Sequence, residues 1–414
     1  MPAKFLRMLA LSLVSALCLC VGCNENSNVT IELSSSSMPD FQYMFKYDGA
    51  RTPTQKSDGG YYNIVSNHII FTDSKTLNST PLCNKSDCLH TGDFPECNAR
   101  LDDMEASFDN FQIYRDKMYY LSAQYNERTD NTVTVLKSTL LDGTQSYTSL
   151  EFSDKFICDW FVYDGYFYYQ SVVSISDEST QTQAGNYYRV SLADKSEQEF
   201  IDFSQLDGIY GASGTLRNVY DGYMYVTVNG YKNKDDYETI IKGEEIDGEV
   251  STVRKIVRYN LKDGSCTDIL PDKNDYEFIG FSDGKLIGTY IKDNKKYVCF
   301  SGLDGADCCD ITHTDINYRV FCDDDYIYIY NQSVVNESSD EKIISVYDKN
   351  GKKISYVTVP DEIANYMYMI TFGDDYMWFQ QSLETGAQVL CCVKKSDILK
   401  SGVKLTYKEV YRYE

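Results

Sequence analysis

The chain has 414 residues, with 39 lysines and arginines against 62 aspartates and glutamates, and its formal net charge at pH 7 is −23. This charge argues against a nucleic-acid partner, because phosphate binding requires a basic surface. The hydrophobic content of 43% and the 37 tyrosines exclude disorder for most of the chain and favour β structure.

The first 22 residues have the pattern of an export signal. Lys4 and Arg7 precede an apolar run from Met8 to Val21, and the segment contains no acidic residue. The run is too short to cross a bilayer, since a transmembrane helix needs about 20 apolar residues. We therefore predict that residues 1–22 are a cleaved secretory signal and that the protein is exported.

Cys23 ends the run LCVGC, which resembles a bacterial lipobox. The resemblance implies that the thiol of Cys23 is diacylated and that Cys23 becomes the mature N-terminus. Ordinary signal-peptidase cleavage with a free Cys23 is the alternative. Residues 23–37 are polar and rich in serine, which predicts a lipidated cysteine followed by a flexible tether. The protein is then anchored to a membrane through its lipid alone, and the loss of Lys4 and Arg7 lowers its charge from −23 to −25.

A motif of the form Tyr-Asp-Gly-Tyr begins at Tyr163 and again at Tyr220. Weaker copies bring the number of anchors to seven, at intervals of 41 to 62 residues: Val65, Tyr114, Tyr163, Tyr220, Ser282, Asp323 and Gly373. Each copy combines an apolar strand, a tight turn and a second strand of alternating aromatic and aliphatic residues. A second turn signal follows, such as LLDG near Asp142 and LKDG near Asp263. Four antiparallel strands per repeat predict a β-propeller.

We predict an all-β fold of about seven four-stranded blades, with residues 38–414 forming a single propeller domain. Six or eight blades are alternatives, because the first repeat is short and either terminal segment of the domain is able to supply the strand that closes the ring. The aromatic residues are expected to fill the wedges between blades, and the Tyr-Asp-Gly-Tyr motifs are interpreted as structural turns. The long insertion in the fourth repeat is expected to be a surface loop or an extended hairpin.

The loop at 81–99 contains the sharpest local feature of the sequence. Cys83, Cys88, His90 and Cys97 lie within 15 positions, and three thiolates with one imidazole form a ligand set of tetrahedral zinc sites. Three interpretations are open: one structural zinc ion or another thiophilic metal, a disulfide with a spare thiol, and a plain loop with buried thiols. A metal held by four protein ligands would be structural, because no position is open for a reactive water.

The lipobox, the serine-rich tether, the segment PLCNKSDCLH with CNA further on, and the DGYxYY repeats together resemble the uncharacterised β-propeller lipoproteins of anaerobic gut Firmicutes. The resemblance covers nearly the whole mature chain, and its specific part is the loop at 81–99. It implies a propeller lipoprotein on the outer surface of a bacterial cell membrane. It supplies no catalytic residue.

The sequence contains no nucleophile elbow, glycine-rich phosphate loop or metalloprotease helix. It therefore favours a monomeric, non-enzymatic binding or scaffold module that engages a protein, a peptide or a glycan. One alternative is an extracellular carbohydrate-active hydrolase or lyase with acidic residues at the channel. Another is a metal-binding surface protein that uses the Cys/His loop. The 62 acidic residues offer too many carboxylate pairs to select one for catalysis.

Overall fold

Tight turns with positive φ angles set the strand pairs of the repeats. A computed structural model describes residues 43–44, 54–57, 59–90, 97–101, 111–126, 131–144, 146–153, 155, 157–174, 182–244, 249–269, 276–331, 342–364, 371–372 and 375–414. Asp164 and Gly165 have φ values of 44° and 78°, and Asp221 and Gly222 have values of 48° and 73°. Two successive residues with positive φ join antiparallel strands tightly, because their twist matches that of the strands. The Asp-Gly signals are therefore hairpin turns, as predicted.

Most of the described residues belong to short antiparallel strands. The strands, in chain order, are β1 (Tyr43–Met44), β2 (Thr54–Ser57), β3 (Gly60–Val65), β4 (His68–Asp73), β5 (Ser79–Pro81), β6 (Phe111–Tyr114), β7 (Lys117–Asn126), β8 (Asn131–Leu140), β9 (Ser146–Phe152), β10 (Ile157–Tyr163), β11 (Tyr166–Ser174), β12 (Thr182–Ser191), β13 (Glu197–Ile201), β14 (Tyr210–Tyr220), β15 (Tyr223–Tyr231), β16 (Thr252–Asn260), β17 (Cys266–Ile269), β18 (Glu277–Ser282), β19 (Lys285–Lys292), β20 (Lys295–Ser301), β21 (Cys309–Asp315), β22 (Arg319–Cys322), β23 (Ile327–Tyr330), β24 (Ile343–Tyr347), β25 (Lys353–Thr358), β26 (Thr371–Phe372), β27 (Tyr376–Ser382), β28 (Gln388–Lys394), β29 (Val403–Lys404) and β30 (Lys408–Tyr413).

These strands form seven sheets, and each sheet is one blade of a β-propeller. Blades 1 to 6 take four consecutive strands each, from β2–β5 to β22–β25, and blade 7 contains β26, β27, β28 and β30. Two short strands extend these sheets: β1 pairs antiparallel with β14, and β29 pairs parallel with β25. The predicted all-β propeller is confirmed, with seven blades instead of six or eight.

Among the described residues, seven hydrophobic clusters fill the seven interfaces between neighbouring blades. At the interface of blades 3 and 4, Phe161 and Tyr168 pack with Leu216 and Met224. The rings of Phe161 and Tyr168 are stacked, with centroids 4.6 Å apart. The aromatic residues therefore act as wedges between blades, as expected from the sequence, and most of the apolar burial that stabilises the ring lies between sheets.

The repeated motif also supplies polar bonds from one blade to the next. Tyr168 donates its hydroxyl hydrogen to the backbone oxygen of Leu261 at 3.3 Å, and Arg189 donates from Nη1 to the same oxygen at 3.1 Å. The Arg189 guanidinium also lies over the ring of Tyr166, 5.2 Å from its centroid. The same pattern recurs one blade on, in the residues Tyr225, Arg258, Leu303 and Tyr223. These tyrosines thus serve the packing of blades, in agreement with their structural interpretation.

The ring closes between blade 7 and blade 1 through side-chain packing. Trp378 of β27 lies against Tyr61 of β3, with ring centroids 4.8 Å apart, and Gln380 donates from Nε2 to the backbone oxygen of Ile64 at 2.6 Å. His68 and Tyr413 are in ring contact at 5.1 Å. Within the described parts of blades 1 and 7, each blade takes its strands from its own end of the chain. The C-terminal segment thus completes blade 7, and among the described strands blades 1 and 7 share none.

The insertion of the fourth repeat differs from its prediction, because it contains a helix. The described residues contain the helices α1 (Lys234–Ile241), α2 (Asp361–Ala364) and α3 (Lys395–Ile398) and a 3-10 turn (Phe203–Gln205). Asn233 caps α1 by accepting a hydrogen bond from the Asp235 amide, and Lys234 pairs with Glu238 one turn on. No residue of α1 is buried, so the helix lacks the apolar stripe that would reveal it in the sequence. Among the described residues, none of the helices is long and apolar enough to cross a membrane.

In several blades an aspartate lies in the turn between the third and fourth strands. The hydrogen bonds of these aspartates predict that the protein becomes less stable in acid. Asp194 accepts hydrogen bonds from the Ser196 hydroxyl at 2.7 Å and the Ser196 amide at 3.0 Å, which lower the pKa of its carboxyl group to about 2. Asp142 and Asp263 make the same bonds, and their pKa values are also lowered. A carboxyl group with a lowered pKa stabilises the folded state above its unfolded pKa of about 3.9, and that contribution disappears as the pH falls through the folded value.

We therefore expect the free energy of unfolding to decrease between about pH 4 and about pH 2, measured by urea unfolding at a series of pH values. The matched variant is Asp194→Asn, which keeps an acceptor oxygen and removes the titrating charge. The stability difference between wild type and this variant should shrink as the pH falls. A difference that is constant from pH 5 to pH 2 would contradict this role of the Asp194 carboxylate.

Candidate metal centre

The loop that carries Cys83, Cys88 and His90 leaves blade 1 after its last strand, β5. The amide of Leu82 donates to the backbone oxygen of Ile69 at 2.8 Å, so the chain stays paired with blade 1 just before Cys83. Leu82 packs in the hydrophobic cluster between blades 1 and 2, with Cys83 and Cys88 against it. The first half of the loop is thus fixed by burial on an interface of two sheets.

The end of the loop that carries Cys97 returns to the same blade. The amide of Ile69 donates to the Ala99 oxygen at 2.8 Å, and the amide of Leu101 donates to the Asn67 oxygen at 2.7 Å. These bonds flank a β-bridge between His68 and Arg100. Both halves of the loop are therefore pinned to β4, and this brings residues 83–90 and 97 together although residues 91–96 lie outside the described residues.

The four candidate ligands converge on one point. One Sγ or ring nitrogen atom from each of Cys83, Cys88, His90 and Cys97 lies within 4.8 Å of every other. The Sγ atom of Cys97 is 3.5 Å from Nδ1 of His90. Ligand atoms bound to one zinc ion at about 2.0–2.3 Å in a tetrahedron are separated by about 3.5–3.8 Å. The set fits a tetrahedral metal site after a contraction of about 1 Å at its longest edges.

Backbone conformation and burial complete the geometry of the cluster. His90 has a φ of 53°, in the left-handed region that few residues other than glycine adopt. This conformation places its ring beside Cys97, which is the buried member of the set, whereas the other three are half-buried. The cluster lies at the edge of the core between blades 1 and 2, and its ligands remain close enough to solvent for a metal ion to enter.

The surroundings of Cys83 and Cys97 shift the pKa values of their thiols in opposite directions. Burial acts to raise the pKa of Cys83, but hydrogen bonds from the backbone amides of Lys85 and Asn98 outweigh it, together with those from the neighbouring thiols, and the pKa is lowered. Burial raises the pKa of Cys97 to about 11, and the proximity of Cys88 and Cys83 contributes. Backbone amides directed at Cys83 favour its thiolate, which is the form that binds a metal.

Supporting residues that the sequence did not identify hold the loop to blade 2. Asn98 donates from Nδ2 to Oδ1 of Asn84 at 2.9 Å and to the backbone oxygen of Gly143 at 3.1 Å. Gly143 has a φ of 72°, and a Cβ atom there would lie 2.5 Å from the oxygen of Leu82. Gly143 is 45 positions away from Asn98 in the chain. No local pattern signals this contact.

In the described part of the loop, Cys83, Cys88 and Cys97 form no disulfide with one another. The structure thus places all four candidate ligands close enough together to hold one metal ion. Three thiolates and one imidazole suit zinc, and four protein ligands close its coordination sphere. Cys23, the predicted lipidation site, lies outside the described residues.

Comparison with protein-family models and with curated proteins finds no match for this chain. Solved structures with a similar fold include dipeptidyl peptidase 4 of Porphyromonas gingivalis, with 10% sequence identity, a TM-score of 0.40 and coverage of 86% of this chain and 52% of that chain. An oligogalacturonate lyase in complex with manganese has 10% identity, a TM-score of 0.49 and coverage of 87% and 92%. The β-propeller domain of the Trilobed protease from Pyrococcus furiosus has 13% identity, a TM-score of 0.42 and coverage of 87% and 91%. The chain spans about half the length of the peptidase, and these likenesses concern the fold alone.

Proposed function

We propose that this protein is an exported, lipid-anchored β-propeller that acts as a non-enzymatic binding module at the outer surface of a bacterial cell membrane. In this proposal Cys23 carries the lipid, and Cys83, Cys88, His90 and Cys97 hold one structural zinc ion. The observation that carries the zinc site is the convergence of these four ligand atoms within 4.8 Å. A metal held by four protein ligands stabilises the junction of two blades and has no open position for chemistry.

The interactions of the repeat residues support a scaffold role. The tyrosines and arginines of the Tyr-Asp-Gly-Tyr repeats are engaged in bonds to the backbone of the next blade, as at Tyr168 and Tyr225. These contacts stabilise a ring whose loop ends remain available for recognition.

The function is tested with the mature protein and a panel of neutral and acidic polysaccharides. We expect retarded migration in affinity electrophoresis with at least one polysaccharide, and no release of reducing ends or unsaturated products after prolonged incubation. Saturable turnover of any member would contradict the proposal and would favour a hydrolase or a lyase. A Cys23→Ala variant tests the anchor separately, because it should appear in the soluble fraction of cells while the wild type sediments with membranes.

A further inference from the structure

Positive side chains gather at the interface of blades 4 and 5, although the protein is strongly acidic. Arg217 lies on β14, the first strand of blade 4, and Arg254 lies on β16 of the same blade. Nη2 of Arg254 is 4.0 Å from Oε1 of Glu277, which begins β18 of blade 5. The side chain of Arg254 is 43% exposed and that of Glu277 is 21% exposed, so solvent reaches this group.

Both arginines project towards blade 5. Nε of Arg217 donates to the Thr227 hydroxyl at 2.9 Å, and Thr227 pairs with Ile256 across the sheet. Directly opposite residues share a face, and Ile256 packs with Phe278 of blade 5. Arg254 contacts blade 5 through its ion pair with Glu277. The two guanidinium groups thus lie on the face of blade 4 that packs against blade 5.

Arg217 occupies an irregular position in its strand. The pairing of β14 with β15 shifts register between Leu216 and Asn218, so Arg217 is the extra residue of a β-bulge. Bulges redirect side chains and occur often beside binding sites. Within the described part of the chain, the bond to Thr227 is the hydrogen bond that the Arg217 side chain makes, and it uses one of five N–H groups. The remaining donors of this planar group are available to a ligand.

The surrounding charges favour an added anion. Burial lowers the pKa of Arg217, nearby Arg254 lowers it further, and Glu277 and Asp159 act in the opposite direction. Lys296, only 8% exposed, is a third cation in range of Glu277, and its Nζ donates to the Tyr318 oxygen at 2.8 Å.

Glu277 therefore interacts electrostatically with three cations, Arg217, Arg254 and Lys296. Among the described residues, the other carboxylate that acts on Arg217 is that of Asp159, which already accepts hydrogen bonds from the Tyr187 hydroxyl at 3.3 Å and the Leu216 amide at 3.4 Å. Like charges held together at reduced solvation are unfavourable, and an oxyanion between them offsets that cost.

We propose that Arg217 and Arg254 form a binding site for an oxyanion, the carboxylate, phosphate or sulfate group of an acidic ligand. The planar, forked guanidinium groups match the geometry of such groups and bind them through paired hydrogen bonds. The site deepens the proposed binding function by naming the chemical class of its ligand. It lies on blades 4 and 5 and is separate from the Cys/His cluster on blades 1 and 2.

The experiment measures binding of citrate, inorganic phosphate, sulfate and the carboxylated polysaccharide alginate to the full mature chain by calorimetry at constant ionic strength. We expect saturable binding of at least one probe, and a loss of at least tenfold in affinity in Arg217→Met and in Arg254→Met. Binding of alginate alone assigns the oxyanion to a polymer, and binding of the small anions assigns a free ligand. Arg412→Met is the matched control, because Arg412 pairs with Glu409 on β30 of blade 7 and its loss changes the charge equally.

Two milder variants, Arg217→Lys and Thr227→Val, distinguish a loss of binding from a failure to fold. The first keeps the charge without the fork and the second removes the acceptor of Nε, so both should weaken binding while thermal unfolding reports a folded ring. Equal losses in Arg412→Met, unchanged affinity in the Arg217 and Arg254 variants, or no saturable binding of any probe would overturn the site. If a neutral polysaccharide binds wild type and Arg217→Met equally, the binding function stands and the oxyanion site alone fails.

Discussion

A Trp378→Ala variant is expected to lose about 3–5 kcal/mol of unfolding free energy, as measured by urea unfolding, because it removes the largest side chain from the interface that closes the ring. Trp378 is 0% exposed and packs with Tyr61, Val65 and Ile70 of blade 1. Its indole nitrogen has no hydrogen-bond partner among the described residues, so the loss is one of packing. The cavity would lie between blade 7 and blade 1, whose described strands do not pair with each other.

The matched control is Trp160→Ala, which removes an equally buried tryptophan from the interface of blades 2 and 3. Both variants should be less stable than wild type. Only Trp378→Ala should increase hydrogen exchange in β3 and β28 under conditions where the other blades stay protected. A loss of less than about 1 kcal/mol in Trp378→Ala would mean that packing at this interface contributes little to closure.

The second large effect is expected at the Cys/His cluster. Protein purified without oxygen should contain one zinc ion per chain, and a Cys97→Ala variant should contain almost none, because the buried thiolate next to His90 is lost. Zinc that binds only the folded chain stabilises it by about 2.7 kcal/mol when its free concentration is a hundredfold above Kd. Elemental analysis measures the stoichiometry, and thermal unfolding with and without a chelator measures the stabilisation.

Cys266→Ala serves as the control for this experiment, because Cys266 is an exposed thiol on β17, far along the chain from the cluster. It should retain zinc and wild-type stability. Wild-type protein without stoichiometric zinc, together with a Cys97→Ala variant that folds equally well, would remove the metal site. If the intact mass is two hydrogens below that of the fully reduced chain, and reduction restores the full mass, the loop contains a disulfide instead.

The sequence predicts the blades because their signals are local. The turn at Asp164 and Gly165 needs two residues that tolerate positive φ. The strand pattern of alternating aromatic and aliphatic residues lies directly beside this turn in the sequence. The same holds for the cluster, whose four ligands lie within 15 positions of one another. Residue types and closeness in the chain were therefore sufficient to select the four candidate ligands, and the structure adds that their ligand atoms lie within 4.8 Å of one another.

Features that depend on distant partners could not be predicted. The contact of Asn98 with Gly143 joins two turns 45 residues apart, and the contact of Tyr61 with Trp378 joins opposite ends of the domain. The helix α1 is stabilised by a cap and charged neighbours, and it buries no residue that would produce a periodic pattern. The position of Arg217 in a bulge likewise depends on how two strands register.

The way in which the ring closes bears on how such a protein evolves. The four main strands of each of blades 1 to 6 come from one contiguous stretch of chain, and blade order around the ring follows chain order, with the join between the first and last copies. Duplication or deletion of a single repeat, 41 to 62 codons long between successive anchors, would then change the number of blades without re-pairing the strands of any other blade. In a ring joined by strand exchange between its ends, the first and last repeats lack this freedom, because the composite blade must be preserved at both termini of the domain.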